Sequence, residues 1–211
     1  NATAVGSGAA DAATSAANLT AVGKNAAGSV TEGDDHTAVG AGALASCTTG
    51  AQNTALGTSA AYSLTGSSNV MVGMQAGYYA TTVDHCVAIG RDAFLGASGN
   101  TTGDYNIAIG SYSLDAATTA ANNVAIGYQA GTAIDEQSDN VAVGYNACEN
   151  LSTGVQNTIV GSLAGDALTS SGNNVLVGYD SGGATTIGDK NVFVGSEAGK
   201  TNIDGNAGVA L

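Results

Sequence analysis

The 211-residue chain has no proline or tryptophan, and its 17 acidic residues against four Lys and Arg give a formal net charge of −13. Nucleic acids and anionic membranes are bound through basic patches, so this balance argues against both partners. No apolar run reaches the roughly 18 residues of a membrane span, and we expect no membrane insertion.

A short pattern that ends in glycine recurs along the whole chain, as in NNVAIGYQAG at 122–131 and DNVAVGYNAC at 139–148. Successive glycines of this pattern are 17 residues apart, except for one interval of 16 and one of 20. Such a unit is too short for a βαβ crossover, a propeller blade or a leucine-rich repeat. We call these residues the anchor glycines: Gly6, Gly23, Gly40, Gly57, Gly73, Gly90, Gly110, Gly127, Gly144, Gly161, Gly178 and Gly195.

Each repeat begins with a predicted strand. The residue three before every anchor glycine is Thr, Val or Ile, and the residue one before it is Val, Ile or Leu. Such residues two apart in a strand lie on one face, since side chains alternate between faces. We call these two columns the flanking rows, and we expect them to face the interior of the repeat.

A third apolar column, the middle row, lies between the flanking rows and points to the opposite face. A strand that is apolar on both faces is normally covered on both, so we expect another copy of the chain to cover the middle row. Its small alanines would allow close approach, and Ile159, Leu176 and Phe193 would demand a wider gap. This predicted seam between copies consists of Ala4, Ala21, Ala38, Ala55, Met71, Ala88, Ala108, Ala125, Ala142, Ile159, Leu176 and Phe193.

After the anchor glycine the chain is predicted to turn into a short apolar segment and then a polar loop. Ala or Ser lies three residues after each anchor, and apolar residues such as Val30 and Leu64 follow four positions later. Turn-forming stretches such as TEGDD at 31–35 come next. An asparagine precedes most of the later strands, from Asn53 to Asn191, which predicts a ladder of stacked amides.

The repeat as a whole predicts an all-β fold, a parallel β-solenoid of about twelve 17-residue coils. Coils stacked about 4.8 Å apart would give a rod roughly 55–60 Å long. The few large apolar side chains in each coil bury too little surface to offset the ordering of 17 backbone units, which favours several chains packed together. We expect residues 1–211 to form a single repeat domain, uncapped at both ends, within a longer fibre.

Few residues suggest chemistry. The stretch GAGALA at 40–45 mimics a dinucleotide fingerprint but lacks the helix that it should open. His36 and His85 lie at or beside the asparagine position, and neither has a nucleophile at a recognisable spacing. We therefore expect no catalytic residue, no cofactor and no metal site. Calcium at Asp34-Asp35 or at 135–139 is a weaker alternative, since neither follows a known calcium-loop pattern.

Three tyrosines share the position directly after the anchor glycine: Tyr128, Tyr145 and Tyr179. They are candidate glycan contacts if they form an exposed strip, and packing beside the coil is the structural alternative. The threonines of the first flanking row, from Thr3 to Thr54, are similar to ice-binding arrays, but the row becomes valine afterwards. The three cysteines are too far apart for a disulfide, so we expect buried free thiols.

The repeats NNVAIGYQAG, DNVAVGYNAC and QNTALGTSAA resemble the head repeats of trimeric autotransporter adhesins and the related repeats of phage tail fibres. This resemblance covers the whole chain and implies a left-handed parallel β-roll with three chains side by side. The adhesin repeat is shorter, and we see neither a neck nor a membrane anchor, which favours the phage type. The expected function is an extracellular fibre shaft or adhesin head on a virion or cell surface that attaches to a host glycan or receptor. The alternative is an extracellular solenoid that binds glycan, ice or calcium.

Overall fold

A computed structural model describes residues 1–97 and 101–211. Within these residues the chain forms a parallel β-solenoid of about twelve coils, with all strands in one sheet and no helix, as the repeat predicts. No described segment is therefore a helix that could cross a membrane. The strands are β1 (Ala2–Val5), β2 (Leu19–Val22), β3 (Thr37–Val39), β4 (Thr54–Leu56), β5 (Val70–Val72), β6 (Val87–Ile89), β7 (Ile107–Ile109), β8 (Val124–Ile126), β9 (Val141–Val143), β10 (Thr158–Val160), β11 (Val175–Val177), β12 (Val192–Val194) and β13 (Val209–Ala210).

The sheet keeps one register from β1 to β13, and each strand pairs with the strands that precede and follow it in sequence. The two irregular repeat lengths do not disturb this register. Across the short interval Thr54 pairs with Val70, and across the long one Val87 pairs with Ile107. The extra or missing residues are therefore absorbed between strands, where the chain can change length without breaking the ladder.

Hydrogen bonds also join successive coils away from the strands. The backbone N–H of Ala27 donates to the carbonyl of Ala43 at 2.8 Å, for example. The predicted asparagine ladder is confirmed: the Asn157 side-chain amide donates to Asn140 Oδ1 at 3.1 Å, and the Asn140 amide donates to the Gly154 carbonyl at 3.1 Å. These amides are buried, and they satisfy backbone groups that a thin coil could not otherwise pair.

The anchor glycines are required by both conformation and space. Their φ angles lie between +129° and +145°, a region that side chains disfavour. A Cβ added to Gly127 would lie 2.2 Å from the carbonyl oxygen of Gly144 in the next coil. Each strand can therefore end in a turn and still stack on its neighbour only if glycine stands there.

The middle row lies inside the coil, so the prediction that it forms a seam between copies is wrong. Ala4 in β1 is exposed, and the other members of the row are buried. The flanking rows point outward instead, and Val39 and Ile89, for example, are 37% and 38% exposed. This correction applies to all twelve residues of the predicted seam: Ala4, Ala21, Ala38, Ala55, Met71, Ala88, Ala108, Ala125, Ala142, Ile159, Leu176 and Phe193.

The physical reason is strand alternation. The ladder asparagine, the middle row and the anchor glycine are each two residues apart, so they share one face. The amides reach their carbonyl partners only inside the coil. Because the middle row lies on the same face of each strand as the amides, it is buried as well. The expected wider gap at Ile159, Leu176 and Phe193 does not arise, because these side chains fill the coil interior.

Side-chain sizes compensate within this interior. Every large residue of the middle row is followed, six positions later, by a glycine that faces it across the coil. A Cβ on Gly199 would lie 2.2 Å from the Phe193 ring, and one on Gly77 would lie 2.6 Å from Met71 Sδ. The pairs are Met71 with Gly77, Ile159 with Gly165, Leu176 with Gly182 and Phe193 with Gly199. Repeats with alanine in the middle row accept residues as large as Phe94 or Leu114 at the facing position.

Candidate interaction surface

The outward-pointing flanking rows form a continuous apolar strip, which we call the outer face. It runs the length of the sheet, and from Val70 to Val194 it consists of Val and Ile with the single exception of Thr158. Most of these side chains are half-buried by their neighbours in adjacent coils. No described part of the chain covers them further, and residues such as Val194 remain 39% exposed.

The predicted tyrosine strip lies along one border of the outer face. Tyr128, Tyr145 and Tyr179 are 43%, 53% and 52% exposed. The rings of Tyr128 and Tyr145 stack with centroids 5.5 Å apart and planes 12° from parallel. Ser162 separates Tyr179 from this pair. The structure therefore brings two of the three candidate glycan contacts together and leaves the third apart.

Two residues that the sequence did not indicate extend this pair. The ring of Tyr112 lies edge-on to Tyr128 at 6.0 Å, and the Arg91 guanidinium lies 5.7 Å from the centroid of Tyr112. Tyr112 is one position further from its anchor glycine than the other tyrosines, so alignment of the repeats did not group them. The arrangement is a short aromatic run with a cation at one end.

The histidines and cysteines are structural. His36 replaces a ladder asparagine and accepts the Asn53 N–H at Nδ1, at 3.2 Å, as its sequence position predicts. Burial lowers the pKa of His36, so the imidazole is neutral in its ladder role. His85 lies on the surface and stacks on Tyr105. The three cysteines are buried free thiols, as expected, and burial raises the pKa of Cys47 to about 11.

A second ladder, which sequence reasoning missed, uses the acidic residues of the loops. Asp34 Oδ1 accepts the Ala17 N–H at 2.6 Å, and Asp84 Oδ1 accepts the Ser67 N–H at 2.6 Å. Asp135, another calcium candidate, accepts the hydroxyl of Thr118. The signal was an Asp, Asn or Ser that recurs six residues before several anchor glycines. Among the described residues no group of three or more His, Cys, Asp or Glu is arranged to hold a metal ion.

An open surface pocket with a volume of about 460 Å³ lies beside Asp166, Asp180 and Lys200. The Lys200 ammonium is 2.7 Å from Asp180 Oδ2 and 2.9 Å from Glu197 Oε1. Burial raises the pKa of Asp166, and the negative charge of Asp180 adds to the effect. No histidine, serine or cysteine lines this cavity. Of the two aspartates at this pocket, Asp180 is held in an ion pair with Lys200.

Asp115 has one carboxylate oxygen, Oδ1, that is buried without a hydrogen-bond partner among the described residues. Burial raises the pKa of Asp115 to about 6, and the nearby negative charge of Asp92 contributes. Asp92 itself accepts a bond from Arg91 Nε at 3.0 Å. Asp115 is therefore a source of local instability near neutral pH.

Comparison with known proteins found no matching family model, no similar curated protein and no similar solved structure.

Proposed function

We propose that the chain is part of the shaft or head of an extracellular attachment fibre on a virion or cell surface. In this proposal three copies pack side by side through their outer faces. The observation that carries it is the uncovered outer face, an apolar strip as long as the molecule. The fibre holds its shape through coil-to-coil hydrogen bonds, and its variable loops meet a host glycan or receptor.

The size of the outer face supports self-association. Twelve coils at about 4.8 Å and a width of about 20 Å, including both borders, give roughly 1,100 Å² per copy. Stable interfaces bury about 800 Å² per partner, so the outer face with its borders is large enough for one. A second copy of the chain supplies a surface of the same length and the same apolar character.

The width of the face favours three copies. Three sheets that form a triangle with sides of about 20 Å lie about 6 Å from the central axis. This distance matches the side-chain layer of about 5 Å on each of two packed sheets. Four copies would place each sheet about 10 Å from the axis and leave a channel that valine and isoleucine could not fill.

A second candidate is a monomeric extracellular solenoid that binds glycans. The half-exposed Tyr145 and Tyr179 favour it, because aromatic faces stack on sugar rings. In this alternative the outer face would stay in water, which is costly for so long an apolar strip.

Mass measurement by light scattering tests the proposal. We expect about 61 kDa, three times the 20.2 kDa of one chain. The variant Val143→Lys places a charge on the outer face and should give monomers that keep their strand signal in circular dichroism. The control Thr119→Lys adds the same charge on an exposed loop and should leave the trimer intact. An unmodified chain of about 20 kDa would refute the assembly, and binding of such a monomer to a glycan array would favour the second candidate.

A further inference from the structure

Two columns of variable residues border the outer face. The leading edge consists of the residues five before each anchor glycine, and the trailing edge of the residues directly after it. Five residues lie between the two edges within one coil, which puts the edges about 20 Å apart, the width taken above for the outer face with its borders. Among the described residues no hydrogen bond or ring contact joins one edge to the other. Within a single chain, no such described contact therefore links the residue at the leading edge of a coil to the residue at its trailing edge.

The sizes of the two edges are nevertheless complementary. In nine of the twelve coils one edge residue is long (Met, Gln, Lys, Arg, His or Tyr) and the other is short (Ala, Ser, Thr, Asn or Asp). In leading and trailing order these pairs are Asn18 and Lys24, Gln52 and Thr58, Ser68 and Met74, Tyr105 and Ser111, Asn122 and Tyr128, Asp139 and Tyr145, Gln156 and Ser162, Asn173 and Tyr179, and Lys190 and Ser196.

Three coils depart from this pattern. Two of them, with Asn1 and Ser7 and with Asp35 and Ala41, carry two short residues. The third carries His85 and Arg91, both long, but each is held along its own chain. His85 stacks on a tyrosine with ring centroids 5.2 Å apart, and Arg91 bonds Asp92 at 3.0 Å. Neither of these two side chains therefore needs room between its own edge and a neighbouring copy.

Inside the coil, a similar compensation in side-chain size occurs between positions that are in contact. There, large middle-row residues face glycines. The same relation between two edges that do not touch within a chain indicates contact between chains. Paired changes at two positions are the usual sign of spatial contact.

We propose that the trailing edge of one copy packs against the leading edge of the next, coil against the same coil, with both chains parallel and in register. This inference rests on the proposed self-assembly and specifies the contacts that align it. A shift by one coil would bring two of the three tyrosines against long residues. In one direction Tyr145 would meet Gln156 and Tyr179 would meet Lys190; in the other Tyr128 would meet Tyr105 and Tyr179 would meet Gln156. Parallel, in-register copies bring every tyrosine of the trailing edge against a short amide or carboxylate.

The chemistry of three coils supports this pairing. Tyr128, Tyr145 and Tyr179 are level with Asn122, Asp139 and Asn173. Throughout the described residues, no hydrogen bond engages these tyrosine hydroxyls or these leading-edge side chains. A phenolic O–H of one copy can donate to the Asn or Asp oxygen of the next. Because these bonds form at only three levels, they favour one register over its neighbours.

Cysteine pairs test the register. The variant Gln156→Cys with Ser162→Cys places thiols on both edges of one coil, too far apart for a bridge within a chain. Oxidation should join neighbouring copies around the fibre axis and shift the non-reduced band from about 20 kDa to about 61 kDa. The control Gln156→Cys with Ser196→Cys displaces one thiol by two coils, about 9.6 Å along the rod, and should stay unlinked. The unmodified chain, with its three buried thiols, is the second control.

The outcomes separate the two proposals. A monomeric mass for the unmodified chain would overturn both the assembly and its register. An oligomeric mass would leave the assembly standing; the register would then be refuted if the same-coil pair stays unlinked or if the displaced pair links as readily. Circular dichroism of both double variants confirms that each remains folded before oxidation.

Discussion

Removal of one asparagine from the buried ladder tests how much the ladder stabilises the rod. Asn140 Oδ1 accepts both the backbone N–H and the side-chain amide of Asn157, at 3.0 and 3.1 Å. Its own amide donates to the Gly154 carbonyl at 3.1 Å. The variant Asn140→Ala therefore leaves the Asn157 N–H and the Gly154 carbonyl buried without partners.

Each buried backbone group left unpaired costs about 1–3 kcal/mol, so Asn140→Ala should lower the free energy of unfolding by about 2–6 kcal/mol. For a chain of this length each kcal/mol corresponds to about 2–4 °C, so the melting temperature should fall by at least about 4 °C. Far-UV circular dichroism during thermal unfolding measures the change.

The matched control is Asn25→Gly, at a position outside both edges of the outer face. Asn25 is exposed, and its side chain forms no hydrogen bond among the described residues. Glycine accommodates its φ of 55° without strain. We expect a change below about 1 kcal/mol, as for most surface substitutions. Equal losses in the two variants would refute the stabilising role of the ladder.

Three further predictions concern glycine, a carboxylate and the thiols. Gly127→Ala should prevent soluble folding, because its Cβ would meet a backbone carbonyl at 2.2 Å, whereas Gly28→Ala, whose nearest contact is 3.3 Å, should fold; soluble yield and circular dichroism distinguish them. Asp115→Asn should raise the melting temperature at pH 7 by a few degrees, on the order of 1 kcal/mol for a half-buried group. The pKa of Asp115 in the folded chain, about 6, exceeds its ordinary value of 3.8, so the destabilisation by the charged carboxylate is complete above about pH 6 and absent below about pH 4. An equal rise in melting temperature at pH 7 and at about pH 4 would contradict this. The three thiols, with pKa values raised by burial to about 11, 11 and 12, should react with a thiol reagent only after unfolding, and fast reaction of the folded chain would show that they are accessible.

The sequence by itself determined the period, the strands and the asparagine ladder. These features depend on local rules: β-branched residues two apart extend the chain, glycine permits a positive φ, and stacked identical amides bond one another. The strand that ends at Ile126 and the bonds between Asn140 and Asn157 follow from those rules alone.

Only the tertiary structure decided which face of each strand is buried. Both faces are apolar, so alternation alone offers two equivalent choices, and the larger valines suggested the wrong one. The interior of a 17-residue coil is narrow, and it holds alanines such as Ala125 together with buried amides, while the bulkier Val124 and Ile126 remain outside. The asparagine two residues before Ala125 was the available signal, because a ladder that must be buried fixes the face of every second residue after it.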